Sequence, residues 1–177
     1  MICTVSAALV FTPSLTVRLK VSTAADAFQA TVGAVIDVNL NGVFWCSRAF
    51  VQHMVARRQG AVVNLGSMSG LIVNRPESHA GYGASKAAVH HLTKCLAVDW
   101  APRGARVNAV APTYVETPMT VGTPANDDRF PIWKSRTPMD RMGRQEEIAS
   151  AVLYLASPAA SLVTGAALSV DGGDTCW

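Results

Sequence analysis

No apolar run in this 177-residue chain approaches the ~18 residues that a membrane span needs, so a spanning helix is not expected. The start, Met1 to Val10, is apolar, but no Lys or Arg precedes it, which argues against a secretory leader. Charge is sparse. Only 15% of residues are charged, the net charge is +3, and no basic run exists, so nucleic acid is not an expected partner. Cysteine is scarce and scattered, at Cys3, Cys46, Cys95 and Cys176. Without a C-x-x-C pair, neither a structural zinc site nor a disulfide framework is signalled, and reduced thiols in the cytoplasm are the default. His90 and His91 are neighbours on a helix and point in different directions, so they do not chelate together, and no metal site is expected. Internal repeats are absent too, which excludes a solenoid.

What is present is hydrophobic residue, at 50% of the chain. That proportion suits one domain whose sheet is covered on both faces, or an oligomer. From about Val35 helix and strand patterns alternate. Val35 to Ala56 reads as a helix with Gly42 inside it, closed by Arg57-Arg58-Gln59-Gly60. Ala61 to Leu65 reads as a strand, followed by loop chemistry at Gly66 to Gly70 and Asn74-Arg75-Pro76. Tyr82 to Trp100 is a second helix, with Ala84, Ala88, Leu92 and Cys95/Leu96 on one face. Pro102 and Gly104 break it, and Val107 to Ala111 is the next strand. Thr113 to Thr137 holds Pro118, Gly122, Pro124 and Pro131 and reads as a long mobile loop with at most short helices. Gln145-Glu146-Glu147 opens a helix whose buried stripe is Ile148, Val152 and Leu155, and Ala166 to Val170 is a last strand. Strands separated by helices pair in parallel, so the fold class is α/β, doubly wound. Sites in such sheets lie beyond the carboxyl ends of the strands, which points at Gly66–Gly70, Pro112–Met119 and Asp171–Gly173.

Tyr82 and Lys86 stand at i and i+4 and share a helix face. A free phenol titrates near ~10 and is a poor base at neutral pH. A nearby ammonium favours the phenolate, and a phenol so tuned exchanges protons with a hydroxyl or carbonyl. Ser67 follows a strand and precedes Tyr82, with 14 residues between them. Its hydroxyl, or that of Ser69, is placed to hold a substrate oxygen as charge develops on it. Asn39 lies mid-helix beside Gly42, where an asparagine competes for backbone hydrogen bonds, so a local kink or a held water is expected.

Asn39, Ser67, Tyr82 and Lys86 occur in order, followed by Arg106-Val107-Asn108-Ala109-Val110-Ala111-Pro112 and Val170-Asp171-Gly172-Gly173. This set closely resembles the short-chain dehydrogenase/reductase family, over about Val35 to Trp177. The resemblance implies a Rossmann-like doubly wound sheet and hydride transfer between a secondary alcohol and its ketone, with NAD or NADP as cofactor, NAD being favoured. It implies that Tyr82 is the acid/base and that Lys86 lowers its pKa and binds the nicotinamide ribose. Ser67 polarises the reacting oxygen. Ser67-Met68-Ser69-Gly70 fits the family's Ser-x-x-Gly, which favours Ser67 over Ser69. Asn39 holds a relay water, and Pro112, Val115 and Thr117 sit where relatives meet the nicotinamide. The segment Gly66 to Pro76 and the chain end look most like bacterial sugar-alcohol (polyol) dehydrogenases. Ser69 and Asn74, in a polar loop with Arg75, Glu77 and His79, would then face a polyhydroxylated substrate. A 3-oxoacyl thioester reductase is the nearest alternative of the same class.

The family's opening T-G-x-x-x-G-x-G loop is found nowhere in the chain, nor is its N-N-A-G segment, and Thr113 replaces the glycine usual after Pro112. Residues 1–34 match nothing in the family pattern. The expectation is therefore an N-terminally truncated chain: an unassigned or aberrant segment over 1–34, then the C-terminal part of a dehydrogenase domain over 35–177. Such a chain lacks the first strands of the sheet, so Ala61–Leu65 is expected to present an unpaired, aggregation-prone edge. Weak NADH binding and poor solubility are expected to follow. A homo-oligomer, dimer or tetramer, is implied for the full-length form. A non-catalytic remnant that pairs with full-length relatives is the alternative of a different class.

Overall fold

The computed structural model describes residues 2–5, 9–12, 15–18, 32–77, 79–121 and 128–177. Most of the segment 19–34, part of the 113–137 loop and Ser78 of the 73–78 loop lie outside the described residues. Three short strands come first: β1 (Ile2–Val5), β2 (Leu9–Thr12) and β3 (Leu15–Arg18). Helix α1 (Val32–Ile36) runs through a π-helical turn (Asp37–Asn41) into α2 (Gly42–Ala56). Then follow β4 (Gly60–Leu65), α3 (Ala80–Trp100), β5 (Ala105–Pro112), α4 (Phe130–Arg136), α5 (Gln145–Ala156) and β6 (Ala167–Val170).

The sheet order is β3-β2-β1-β4-β5-β6. Strands β1, β4, β5 and β6 are parallel, whereas β2 and β3 are antiparallel additions at one edge. The expected bare edge at Ala61–Leu65 is therefore overturned. Ile2 pairs with Ala61 and Val5 with Asn64, so β4 has a partner on both sides. The physical reason is that a four-residue strand supplies enough backbone donors and acceptors to cap most of β4.

Alternation along the central strands divides the core into two layers. Val62 and Val107 face α2 and α3 and pack with Val43, Met54, Val89, Leu96 and Trp100. Val63 and Val110 face the other way, onto α5 at Leu155, with Ile148 and Val152 packed against them. Each fully buried Val or Leu contributes roughly 1.5–3 kcal/mol, so both layers are needed to hold the sheet. The expected stripe on α5 is the one that packs.

On α3 the stripe is shifted. The buried residues are Ser85, Lys86, Val89, His90, Thr93, Leu96, Ala97 and Trp100, while Ala84 and Cys95 are exposed. Apolar periodicity misplaces this face because half of the buried positions are polar. Ser85, Lys86 and Thr93 are bonded locally. Asn64 donates to Thr93 across 2.9 Å, and Thr93 donates to the Val89 carbonyl. The Arg106–Asn108 motif is also structural glue. Arg106 donates to the carbonyls of Leu155, Ser157 and Val163, and Asn108 donates to that of Val163. These bonds tie β5 to the end of α5 and so fix where the carboxyl end of β5 points.

Candidate active site

Strand β4 ends at Leu65, and the chain turns through Gly66 into a short 3-10 turn at Met68–Gly70. Ser67 caps that turn. Its Oγ accepts from the Ser69 amide at 3.1 Å and donates to Ser69 Oγ at 3.1 Å. Both serines favoured by the sequence thus sit at the carboxyl end of β4, hydroxyl to hydroxyl. Ser67 is buried and Ser69 half-buried.

Tyr82 lies in the first turn of α3, with its phenol close enough to the Ser67 hydroxyl to be influenced by it. Burial pushes the phenol above its ordinary value and the Ser67 hydroxyl pulls it back down. Tyr82 remains 37% exposed, so water still reaches the ring and tempers the upward push. Lys86 is one turn further, at 5% exposure, with Nζ 5.6 Å from the Tyr82 ring centre. It donates to the Leu65 carbonyl at 2.9 Å. Burial lowers its ammonium to about 8. The sequence reading has Lys86 lowering the Tyr82 pKa. Here the net push on the phenol is upward because burial outweighs the Ser67 hydroxyl, while the Lys86 ammonium is engaged with the Leu65 carbonyl.

Asn39 sits in the π-helical turn, the kink expected at that position. The extra residue in the turn carries its side chain toward α3, where Nδ2 donates to Ser85 Oγ at 3.0 Å. Ser85 in turn donates to the Tyr82 carbonyl at 2.7 Å. Asn39, Ser67, Tyr82 and Lys86 are thus joined through α3. π-Turns within helices are frequent at functional sites.

Pro112 ends β5, and Val115 bridges to Gly143. The Thr117 amide donates to Thr120 Oγ1, which folds this segment back on itself. Asn74 meets a cluster less legible in the sequence. Its Nδ2 donates to Tyr114 Oη at 3.1 Å, and Tyr114 donates to Glu77 Oε2 at 3.3 Å. Trp133 Nε1 donates to the same oxygen, and its ring stacks on Tyr114 with centres 4.3 Å apart. Arg129 Nε lies 3.4 Å from Glu77 Oε1 as an ion pair without hydrogen-bond alignment. Burial pushes the Tyr114 phenol up to about 12. Glu77, Tyr114 and Trp133 carry no motif. Their signal is only that aromatic and acidic residues recur in loops beyond strand ends.

A cleft of about 380 Å³ opens beside this region, lined by Ser69, Asn74, His79 and the outer side of α3 at Gly83, Ala84 and Ala87. The Pro112–Met119 and Asp171–Gly173 segments also meet, for Thr113 donates to Asp174 Oδ2 at 3.1 Å beside a second cleft. A phenol, a serine hydroxyl and a buried lysine at one sheet edge form a set able to exchange a proton with a substrate hydroxyl.

The described residues suit the nicotinamide end of a dinucleotide. Lys86 has a flexible stem and a single carbonyl partner. The pyrophosphate end is different. Doubly wound folds place it at the helix N-terminus after the first strand. Here β1 is followed after three residues by the antiparallel β2, so no such helix start lies there.

Comparison with known proteins agrees with the geometry. Residues 10–175 match the short-chain dehydrogenase profile described as enoyl-(acyl carrier protein) reductase. The chain belongs to the short-chain dehydrogenase/reductase family. It is 65% identical over 142 residues to galactitol 2-dehydrogenase of Rhizobium johnstonii, covering 80% of this chain and 55% of that one. It is 58% identical over 149 residues to the L-tagatose-forming galactitol 2-dehydrogenase of Cereibacter sphaeroides, covering 84% and 59%. A 3-oxoacyl-[acyl-carrier-protein] reductase of Thermotoga maritima is 44% identical over 140 residues, covering 79% and 55%. Among solved structures, gox2181 superposes with a TM-score of 0.79 at 49% identity, covering 84% of this chain and 59% of that one. A gluconate 5-dehydrogenase from Burkholderia cenocepacia J2315 in complex with NADP and tartrate gives 0.74 at 36%, covering 88% and 59%. The chain thus spans a little over half the length of the curated relatives it matches.

Proposed function

We propose that this chain carries the catalytic half of an NAD(P)-dependent dehydrogenase that interconverts a sugar alcohol and the corresponding ketose. The observation that carries the reading is the hydroxyl pair of Ser67 and Tyr82 backed by buried Lys86. The higher identity to galactitol dehydrogenases than to the thioester reductase supports a polyol substrate over an acyl one.

In this reading the substrate hydroxyl sits between Ser67 Oγ and Tyr82 Oη. Ser67 donates a hydrogen bond that holds the oxygen, and Tyr82, as the phenolate, takes the hydroxyl proton. A bound nicotinamide would supply the hydride acceptor for the same carbon. Two electrons and one proton leave the carbon as hydride, the hydroxyl proton goes to Tyr82, and a ketone remains. Lys86, now on the Leu65 carbonyl, would hold the nicotinamide ribose and in doing so would bring its charge to the phenol. Asn39 supports the relay from the π-turn, through Ser85. Pro112, Val115 and Thr117 border the nicotinamide. Ser69 and Asn74 present hydroxyl and amide groups to the rest of the polyol. The described residues reach only the nicotinamide end, so they do not choose between NAD and NADP.

Two further readings accompany this one. Free thiols at Cys46, Cys95 and Cys176 fit a cytoplasmic setting. Trp45 on α2 and Val98 on α3 are 57% and 76% exposed, which fits association of this chain with copies of itself through those helices.

The test is galactitol oxidation at millimolar NAD⁺, with Tyr82→Phe as control. The expected result is slow NADH formation that falls about 10²–10⁴-fold in the variant, the range for losing a positioned acid/base. Equal rates in the two proteins, or turnover of a 3-oxoacyl thioester but of no polyol, would overturn the reading.

A further inference from the structure

His90 stands two turns from Tyr82 and one turn from Lys86 on the inner face of α3, and it is 6% exposed. Its ring is wedged under the loop that carries Ser67. The Ser67 amide donates to His90 Nε2 at 3.4 Å. The two glycines that bracket this loop make room for the ring. A Cβ on Gly66 would stand 2.1 Å from His90 Nε2, and one on Gly70 would stand 2.9 Å from His90 Cε1. A ring that accepts at Nε2 carries its proton on Nδ1, and that atom is buried without a partner. The ring is thus held by its packing between the two glycines and by the Ser67 amide.

We infer that His90 is a positioning residue: its neutral imidazole accepts from the Ser67 amide and so sets the Ser67 hydroxyl against Tyr82. The inference rests on the reading of Ser67 as the residue that holds the reacting oxygen. Only the neutral ring can do this. In the imidazolium both nitrogens are donors, and Nε2–H would face the Ser67 N–H head on. Protonation would therefore push the Ser67 loop away from α3. The groups around His90 oppose that protonation. Burial opposes it most, and Lys86 and Lys94 on its own helix add to that, so its pKa lies below the ordinary 6.5. From the loop side, Gly66, Ser67, Met68, Ser69 and Gly70 bring no titratable group, and β5 brings the Val110 carbonyl. The device keeps the serine in place through the neutral range and releases it in acid.

Nitrogen-15 NMR on the full chain tests this without any cofactor. At neutral pH, His90 should show the Nδ1-protonated tautomer. The Ser67 amide should then shift in acid with the same midpoint as the His90 ring, below 6.5. An Nε2-protonated tautomer, or a Ser67 amide that stays still while His90 titrates, would overturn the inference. His90→Gln, which keeps an acceptor without a titration, should hold the Ser67 amide at its neutral position through the acid range. His90→Leu should speed Ser67 amide exchange about tenfold, the order expected for losing one hydrogen bond. If a variant does not fold, the wild-type titration decides alone. These readouts are independent of turnover. An inactive Ser67→Ala variant speaks to the reading of Ser67, and the amide shift speaks to His90.

Discussion

At the scale of single residues, Lys86 sets function against stability. Its folded value of about 8 lies below the 10.5 of an unperturbed lysine. Between those values the unfolded chain binds more protons than the folded one, so stability rises as pH climbs through that window. Below about 8 the buried ammonium is charged in both states and its burial is a standing cost. The shift corresponds to roughly 3 kcal/mol at most, partly offset by the hydrogen bond to the Leu65 carbonyl. Lys86→Met should therefore raise the Tm at neutral pH and flatten the alkaline rise seen in the wild type. Thermal melts across that range check it, and an unchanged Tm with the same rise would refute it. Glu77 is the opposite case. Its carboxylate, 8% exposed, meets Tyr114 from one segment and Arg129 and Trp133 from another. Glu77→Ala leaves those donors without an acceptor and should cost about 2–4 kcal/mol in urea unfolding. A loss under ~0.5 kcal/mol, the size of an ordinary surface change, would show that the cluster is not load-sharing.

At the scale of elements, the sequence is informative where period and punctuation agree. Strands β4, β5 and β6 are short apolar runs bounded by Gly and Pro, and each is found within two residues of its expected place. Helix α5 is legible because its stripe is purely apolar. Helix α3 is legible in extent but not in facing, because Ser85, Lys86, His90 and Thr93 occupy its inner side. That discrepancy is informative in itself. Lys86 and His90 are buried four residues apart, and the half-exposed Tyr82 precedes them at the same spacing, so His90 was within reach of the sequence. Glu77, Tyr114 and Trp133 were not, since their meeting depends on how three loops fold together. Helix α4 appears as the short helix allowed within the 113–137 loop, with Pro131 in its first turn.

At the scale of the whole molecule, the sheet is closed where the sequence leaves it open, but the cofactor crevice is not restored. Strand β1 covers β4, so the expected insolubility loses its main cause. The hairpin that follows β1 supplies no helix start for a pyrophosphate. Losing three or four such hydrogen bonds at ~1 kcal/mol each weakens binding on the order of 10²–10³-fold. Calorimetry should accordingly find no saturable micromolar NADH binding to this chain, and a micromolar Kd would overturn that expectation. Strands β1–β3 lie within residues 1–34, which carry none of the family's motifs, so none marked them beforehand. The π-turn of Asp37–Asn41 has a molecule-wide consequence of its own. It acts as a vernier: one added residue turns α2 by about a quarter revolution relative to α1. Helix α1 can then address α3 while α2 addresses the sheet. The two contacts are out of phase by design, so removing one residue at Val38 would force a choice between them. Either Asn39 loses Ser85 or α2 loses its seat on Val62 and Val107.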